Sequence, residues 1–150
     1  MKQVLCKIGK NTYGIDIDFV QGIEKDLEIV PVPNAPEMIE GIVNLRGHVI
    51  PVYSLYKKFH VKGEATAEET KYVIVRIDDM MIAFQVDAVA EIVEIQENEF
   101  HPLPSVIYTE ETSYVQSIVQ VGERLVVVID VEGVLNEKEK EHISKLIEEQ

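Results

Sequence analysis

Residues 41–55 read GIVNLRGHVIPVYSL, a stretch in which apolar residues lie on both sides of one short bend. Apolar and β-branched residues run up to Leu45 and resume at Val49, as in two strands joined by a tight turn. The bend contains Arg46 followed by Gly47. The stretch therefore predicts a strand–turn–strand element, and it raises the question of why the turn carries a cation.

The same element occurs a second time in the chain. Shifted by 76 positions, residues 42–55 align without a gap with residues 118–131, IVQVGERLVVVIDV. Shifted by 69 positions, residues 8–23 align in the same way with residues 77–92. Chance matching of apolar residues is the competing explanation, but both blocks keep their order. We interpret them as a two-copy repeat, which predicts two similar small barrels related by a pseudo-twofold axis.

Short apolar segments separated by turn residues predict an all-β domain with few helices. A polar stretch, KGEATAEET at 62–70, is expected to join the two barrels. The expected parts of this single domain, residues 1–150, are a first barrel over roughly 9–62, a second over roughly 70–135 and a C-terminal helix over 136–150.

Helix signals are few, and each depends on a residue that commonly caps a helix N-terminus. Asn34 predicts a short helix over 34–41, and Ser54 predicts another. Asp130 stands where Ser54 stands in the first copy, so a helical turn is expected there too. The C-terminal helix, capped by Asn136, is expected to cover the core, with binding of a partner as the alternative.

Composition excludes several classes of partner. The formal net charge of -13 would repel a nucleic-acid backbone or an anionic membrane. The single cysteine, Cys6, allows no intrachain disulfide, which is typical of a reducing compartment. The N-terminus has no signal-peptide pattern, and no apolar run reaches the roughly 18 residues of a membrane helix. We therefore expect a cytoplasmic protein without direct membrane insertion.

The sequence offers no catalytic set. The four histidines are scattered without metal-ligand spacing, and no phosphate-binding loop or nucleophile elbow occurs. We expect no enzyme activity, no cofactor and no metal, and infer that the protein works by surface contact. Candidate contact residues are the apolar positions Val20, Ile23, Val89 and Ile92, which the repeat relates in pairs. Burial in the core is the alternative for each of them.

The repeat provides an internal comparison for Arg46. Its counterpart in the second copy is Gly122, so a bend of the same length forms there without arginine. The fold of the element therefore does not itself require Arg46. An exposed arginine can anchor a protein partner through its planar fork of donors. A local salt bridge to one of the 27 carboxylates is the alternative, and both interpretations fit the sequence.

GIVNLRGHVIPVYSLYKKF, together with the upstream YGIDIDFVQGI, resembles the CheW family of bacterial chemotaxis coupling proteins. The most specific part is the block G-[IV]-x-N-L-R-G-x-[VI]-x-P-[VI]-x-x-L, and the likeness extends through VDAVAEIVEI at 86–95 to the closing VVVIDVEGVL. The resemblance implies two pseudo-symmetric five-stranded SH3-like β-barrels. It also implies a non-enzymatic adaptor that couples chemoreceptor cytoplasmic tips to the regulatory domain of the histidine kinase CheA.

The resemblance also implies roles for individual residues. Arg46 matches the arginine associated with receptor coupling, and Gly41 matches a glycine that is sensitive to substitution. Val20 matches an apolar position near the receptor groove, and Val89 and Ile92 lie where the second half would line that groove. The kinase-binding residues cannot be carried over, because they lie in variable barrel-end segments.

Two departures from the family pattern and two alternative functions accompany this assignment. Ser54 replaces the common Asp and keeps a helix cap, while Tyr56 replaces the common Arg and removes a charge. One alternative is the same adaptor fold in a receptor–kinase pathway other than chemotaxis. The other is a small acidic ligand-binding barrel, which requires a closed pocket with converging polar groups.

Overall fold

The computed structural model describes residues 1–62, 70–107, 109 and 112–148. Ten strands and three α-helices dominate it. The first half contains β1 (Lys2–Ile8), β2 (Asn11–Asp16), β3 (Val20–Glu24), β4 (Ile39–Leu45), β5 (His48–Ser54) and α1 (Leu55–Phe59). The second half contains β6 (Lys71–Ile77), β7 (Met80–Val86), β8 (Ala88–Glu94), β9 (Val115–Val121), β10 (Arg124–Ile129), α2 (Val131–Val134) and α3 (Glu137–Glu148).

The element order confirms the two-copy repeat. Strand β1 becomes β6, and β4 becomes β9, when the residue numbers are shifted by the offsets found in the sequence. Each copy then continues through a two-residue turn into its fifth strand and a short helix. The additional residues of the second copy lie between β8 and β9. A repeat detected from apolar spacing alone is therefore a repeat of structure.

The strands form two five-stranded sheets. Sheet A has the order β8-β1-β2-β10-β9, and sheet B has the order β3-β6-β7-β5-β4. Exchanging each strand for its counterpart in the other copy converts one order into the other, as pseudo-twofold symmetry requires.

The expected division into barrels over 9–62 and 70–135 is wrong for these sheets. Each sheet combines two strands of one half with three strands of the other. The joints are parallel pairs, β2 with β10 and β5 with β7. After β2 the chain passes through a 3-10 turn at Ile17–Phe19 and enters the other sheet as β3. The sequence repeat could not reveal this exchange, because strands of the two copies have nearly equivalent apolar patterns.

Three apolar clusters hold the two sheets. One lies inside sheet A and includes Leu5 and Val119. A second lies inside sheet B and includes Val43 and Ile74. The largest lies between the sheets, because it combines residues of both sheets with residues of all three α-helices. Many strands consequently have both of their faces buried, which explains their continuous runs of apolar residues.

In each sheet an ion pair joins strands that are not neighbours in the strand order. In sheet B, Arg46 Nη2 lies 2.9 Å from Oε1 of Glu24 and so joins the β4–β5 turn to β3. In sheet A, Arg124 Nη2 lies 2.7 Å from Oε1 of Glu91 and joins β10 to β8. Because β3 and β4 stand at opposite ends of the sheet B order, the first contact fits a sheet that curls around its own core.

The helix predictions had different outcomes. Helix α1 begins after Ser54, whose Oγ accepts a hydrogen bond from the Lys57 N–H, as expected of a cap. The helix predicted over 34–41 is wrong. Asn34 has a left-handed φ of 61°, the following residues form turns, and β4 begins at Ile39. Val30 instead forms an antiparallel bridge with Ile42, and this pairing outweighs the local helical signal.

Helices α2 and α3 close the second half. Helix α2 begins after Asp130 as predicted, but the Asp130 side chain makes no capping hydrogen bond. Asn136 and Glu139 form reciprocal side-chain-to-backbone bonds at the start of α3. Ile143 of α3 is buried in the core between the sheets, so the helix covers that core. Most of the linker predicted over 62–70, residues 63–69, lies outside the described residues.

Candidate interaction surface

Arg46 occupies a backbone conformation that favours glycine. Its φ is 52°, and Gly47 follows with a φ of 87°. Two consecutive residues of positive φ are typical of the tightest β-hairpin turns. Asn44 Oδ1 accepts a hydrogen bond from the Gly47 N–H at 2.9 Å and stabilises the turn. The counterpart Gly122 has a φ of 62°, so the second copy places glycine where the geometry requires it.

An arginine in this conformation costs about 1–2 kcal/mol, because its Cβ approaches the following carbonyl. Arg46 nevertheless stands in the turn, and its side chain is 77% exposed. The local salt bridge considered in the sequence analysis exists, with Glu24 as the partner. An ion pair this exposed contributes about 0–1 kcal/mol. The pair therefore at most offsets the backbone cost, and the guanidinium remains accessible to a partner.

Val20 and Val89 are half-buried on β3 and β8, the end strands of sheets B and A. Both pack against the apolar cluster between the sheets. The structure therefore brings this repeat-related pair to one core, and each keeps an accessible part. For these two residues the core and surface interpretations are both partly right.

Ile23 and Ile92 lie three residues further along the same strands and are exposed. The exposed fraction is 41% for Ile23 and 54% for Ile92. Large apolar side chains of this exposure on both copies are not core residues, so the burial alternative is wrong for this pair. Ile23 also directly precedes Glu24, the ion-pair partner of Arg46. Ile23 is thus one residue along the chain from the partner of Arg46, although successive side chains of a strand point to opposite faces.

Gly41 is buried and cannot meet a partner through a side chain. It lies at an irregularity of β4, where the chain passes Ile29 and Val30. A Cβ at this position would collide with the carbonyl oxygen of Val30 and would lie 2.7 Å from Cγ2 of Ile29. The sensitivity that the resemblance implies for Gly41 therefore has a steric explanation, through the position of the backbone.

Glu24 is the residue of this surface that the sequence reasoning missed. Its carboxylate fixes the direction of Arg46, and its own side chain is only 22% exposed. The repeat gave no direct signal, because Glu24 aligns with Val93 and Arg46 aligns with Gly122. Only the structure shows that each copy forms an arginine–glutamate pair with the third strand of that copy.

The structure also shows what Tyr56 does in place of the arginine of the family pattern. Its hydroxyl donates a hydrogen bond to Oδ1 of the buried Asp87 at 2.7 Å, and the Gly9 N–H donates to Oδ2 at 2.7 Å. Burial, with the hydrogen bond and charge of Asp87, raises the pKa of Tyr56, so its hydroxyl stays protonated and serves as a donor. A neutral donor thus stands at this position.

Sites for chemistry are not evident in the described part of the chain. No group of three or more His, Cys, Asp or Glu side chains within the described ranges could hold a metal ion. Clefts of about 510 and 480 Å³ lie at hairpin ends, beside Gly47 and beside Gly9. Over the same ranges, no helix is long and apolar enough to cross a bilayer.

Comparison with known proteins gives a consistent result. Residues 2–139 match the family model described as a CheW-like domain. The chain is 31% identical over 148 residues to the chemotaxis protein CheW of Treponema pallidum, which covers 95% of this chain and 86% of the relative. It is 30% identical over 136 residues to the chemotaxis protein CheW of Klebsiella aerogenes, covering 91% of this chain and 82% of the relative.

A solved structure agrees in fold. The crystal structure of the scaffolding protein TtCheW from Thermoanaerobacter tengcongensis superposes with a TM-score of 0.83 at 33% identity. The match covers 92% of this chain and 89% of that chain.

Proposed function

Because this chain belongs to the CheW-like domain family, we propose that it is a non-enzymatic scaffold of chemotaxis signalling. In this role it couples the cytoplasmic tips of chemoreceptors to the regulatory domain of the histidine kinase CheA. The chemotaxis relatives and the scaffolding structure support the proposal across nearly the whole chain. The protein then works in the cytoplasm and reaches membrane receptor arrays through its partners.

The observation that carries the receptor side of the proposal is the state of Arg46. The residue keeps an unfavourable backbone conformation and exposes most of its side chain. Backbone strain of this kind is concentrated at functional positions, where another requirement outweighs it. We assign Arg46 as the polar anchor of the receptor surface. Ile92, with the accessible parts of Val20 and Val89, supplies its apolar contacts.

Coupling requires two surfaces that are occupied together. Once a receptor tip occupies the Arg46 surface, a kinase domain bound elsewhere on the same molecule is held at high local concentration. If either the receptor contact or the kinase contact is lost, the remaining partner no longer binds with this added affinity. Gly41 supports this arrangement from inside, because it sets the path of β4 towards the Arg46 turn.

A binding assay with a receptor-tip fragment and a CheA regulatory domain, separately and together, tests the proposal. Arg46→Ala should weaken receptor binding and receptor-dependent kinase activation, while binding of the kinase domain alone is retained. The chain provides a matched control in Arg124→Ala, which breaks the equivalent ion pair of sheet A. Equal loss of receptor binding in both variants would contradict the assignment of Arg46.

The kinase that the protein binds distinguishes a role in chemotaxis from a role in another receptor–kinase pathway. Pull-down with the regulatory domain of each candidate kinase should retain the chemotaxis kinase, and retention of a different kinase alone would transfer the same mechanism to that pathway. The ligand-binding barrel is not favoured. Apolar side chains form a core cluster inside each sheet, and the comparisons identify scaffold relatives.

A further inference from the structure

The chain crosses between the sheets from β2 to β3 and from β7 to β8, and the second crossing is a single buried acid. Strand β7 ends at Val86 in sheet B, and β8 begins at Ala88 in sheet A. Asp87 stands between them and is 6% exposed. A buried carboxylate needs hydrogen-bond donors, because burial removes it from water. The elements that supply those donors therefore show what Asp87 holds together.

The hydrogen-bond partners of Asp87 come from both sheets. The Gly9 N–H, in the β1–β2 turn of sheet A, donates to Oδ2 of Asp87 at 2.7 Å. The Tyr56 hydroxyl, on the helix α1 that follows β5 of sheet B, donates to Oδ1 at 2.7 Å. The backbone N–H of Asp87 donates to the carbonyl oxygen of Lys7 on β1 at 2.8 Å. Asp87 thus joins the α1 end of sheet B to the first hairpin of sheet A.

These hydrogen bonds lie where β8 begins. Ala88 pairs with Lys7, and Val89 pairs with Cys6. Because β8 is an end strand of sheet A, its position depends on its neighbour β1 and on the crossing that precedes it. Val89 packs against the core between the sheets, and Ile92 is exposed further along the strand. Asp87 is therefore placed to control both apolar residues of the second copy.

The first crossing, from β2 to β3, shows the equivalent place without these hydrogen bonds. The repeat matches Asp87 with Asp18, which is exposed. The counterparts of its two donor residues are the exposed acids Asp78 and Glu132. An ionised Glu132 offers no donor in place of the tyrosine hydroxyl. A crossing of this fold therefore forms without a buried carboxylate, and the fold itself does not require the one at β7–β8.

We propose that Asp87 is a positioning residue for receptor binding. Held by Tyr56, it sets where β8 begins and so places Val89 and Ile92 relative to sheet B. The inference rests on the proposed function, which assigns those two residues, in sheet A, and Arg46, in a turn of sheet B, to one receptor surface. A receptor tip that contacts both sheets binds best when they are already in place, because ordering them on binding costs affinity.

Binding of a receptor-tip fragment to the full chain tests the inference. Tyr56→Phe removes the donor hydroxyl and should raise the Kd by about three- to tenfold. Tyr53→Phe is the matched control, because its hydroxyl donates to a carboxylate on α3, that of Glu139, at 2.8 Å. The control should lower the urea midpoint and leave the Kd unchanged. Equal rises of the Kd in both variants, or no rise in Tyr56→Phe, would overturn the positioning role. A wild-type chain that does not bind the fragment would instead refute the proposed function.

A second pair of variants removes the same charge at each crossing. Asp87→Asn should weaken receptor binding as Tyr56→Phe does, because the amide nitrogen of asparagine cannot accept the hydrogen bond from the Gly9 N–H. Asp18→Asn, at the exposed counterpart, should leave the Kd unchanged. Equal losses in the two variants would make the effect one of net charge and would overturn the inference.

Amide hydrogen exchange of the chain without a partner measures the placement of β8 itself. The β8 amides should exchange at least about threefold faster in Tyr56→Phe than in Tyr53→Phe, whereas the amides of β4 and β5 should exchange at similar rates in the two variants. Equal exchange of β8 in both variants would overturn the role of Asp87, and this result does not depend on whether a receptor tip binds.

Discussion

Replacing Arg46 by glycine separates the backbone cost of this residue from its role in docking. The substitution removes an exposed ion pair worth about 0–1 kcal/mol. Because the Glu24 side chain is only 22% exposed, the loss should lie towards the upper end of that range. Glycine also relieves a left-handed conformation that costs other residues about 1–2 kcal/mol.

A third contribution comes from the unfolded chain. Glycine loses more conformational freedom on folding than other residues, which costs about 0.5–1 kcal/mol. The three effects nearly cancel, so Arg46→Gly should change the free energy of unfolding by less than about 1 kcal/mol in either direction. Arg46→Ala loses the ion pair but keeps its Cβ at a φ of 52°. Arg46→Ala should therefore be the less stable variant, which reverses the usual order of alanine and glycine.

Urea unfolding followed by circular dichroism measures both variants, and the receptor-binding assay is run on the same preparations. Both variants should lose receptor binding to a similar extent, although their stabilities differ. A loss above about 2 kcal/mol in Arg46→Gly would show that the arginine is a structural residue. Retained receptor binding in Arg46→Gly would refute the docking assignment itself.

Three further predictions concern the interior. Gly41→Ala should lower the free energy of unfolding, measured in urea, by about 1–3 kcal/mol, because the new methyl group meets the Val30 carbonyl. The control is Gly22→Ala, because Gly22 has open space around it. Equal losses in the two variants would contradict the steric explanation. Tyr56→Phe should lower the free energy of unfolding by about 1–3 kcal/mol, because the buried Asp87 carboxylate loses a hydrogen-bond donor. An unchanged urea midpoint would count against that hydrogen bond. Burial raises the pKa of the Cys6 thiol to about 12, so alkylation at pH 8 should follow global unfolding; rapid labelling of the native protein would contradict this.

The strands and the repeat could be predicted from the sequence because the signal is local. Alternating and continuous apolar runs depend on which faces a strand buries, and each run identifies its own strand. The turn at Arg46 was equally visible, since Arg46 and Gly47 stand directly between the apolar runs of β4 and β5. The helix expected after Asn34 failed for the opposite reason. Its local signals were outweighed by a long-range bridge between Val30 and Ile42.

Much of the candidate surface could be predicted, but the sequence could not show which residues are accessible. Val20 and Ile23 are both apolar and both lie on β3, yet only Ile23 is exposed. The difference arises from the second sheet, which covers Val20 through the core between the sheets. The exposure of Ile92 has the same origin on β8. Packing between sheets that are distant in sequence therefore decides accessibility, and no pattern within one strand records it.

Exchange of strands between the two sheets predicts that neither half of the chain folds alone. A fragment of residues 1–62 contains two strands of sheet A and three of sheet B, and it lacks both parallel partners, β7 and β10. Such a fragment leaves the core between the sheets without most of its contacts, so we expect it to lack a cooperative unfolding transition. Mixed with residues 70–150, it should associate and regain one transition, because every strand pair then has its partner. If each sheet were instead built from one half, as the repeat alone suggests, residues 1–62 would fold alone. Cooperative unfolding of that isolated fragment would therefore refute the exchanged topology.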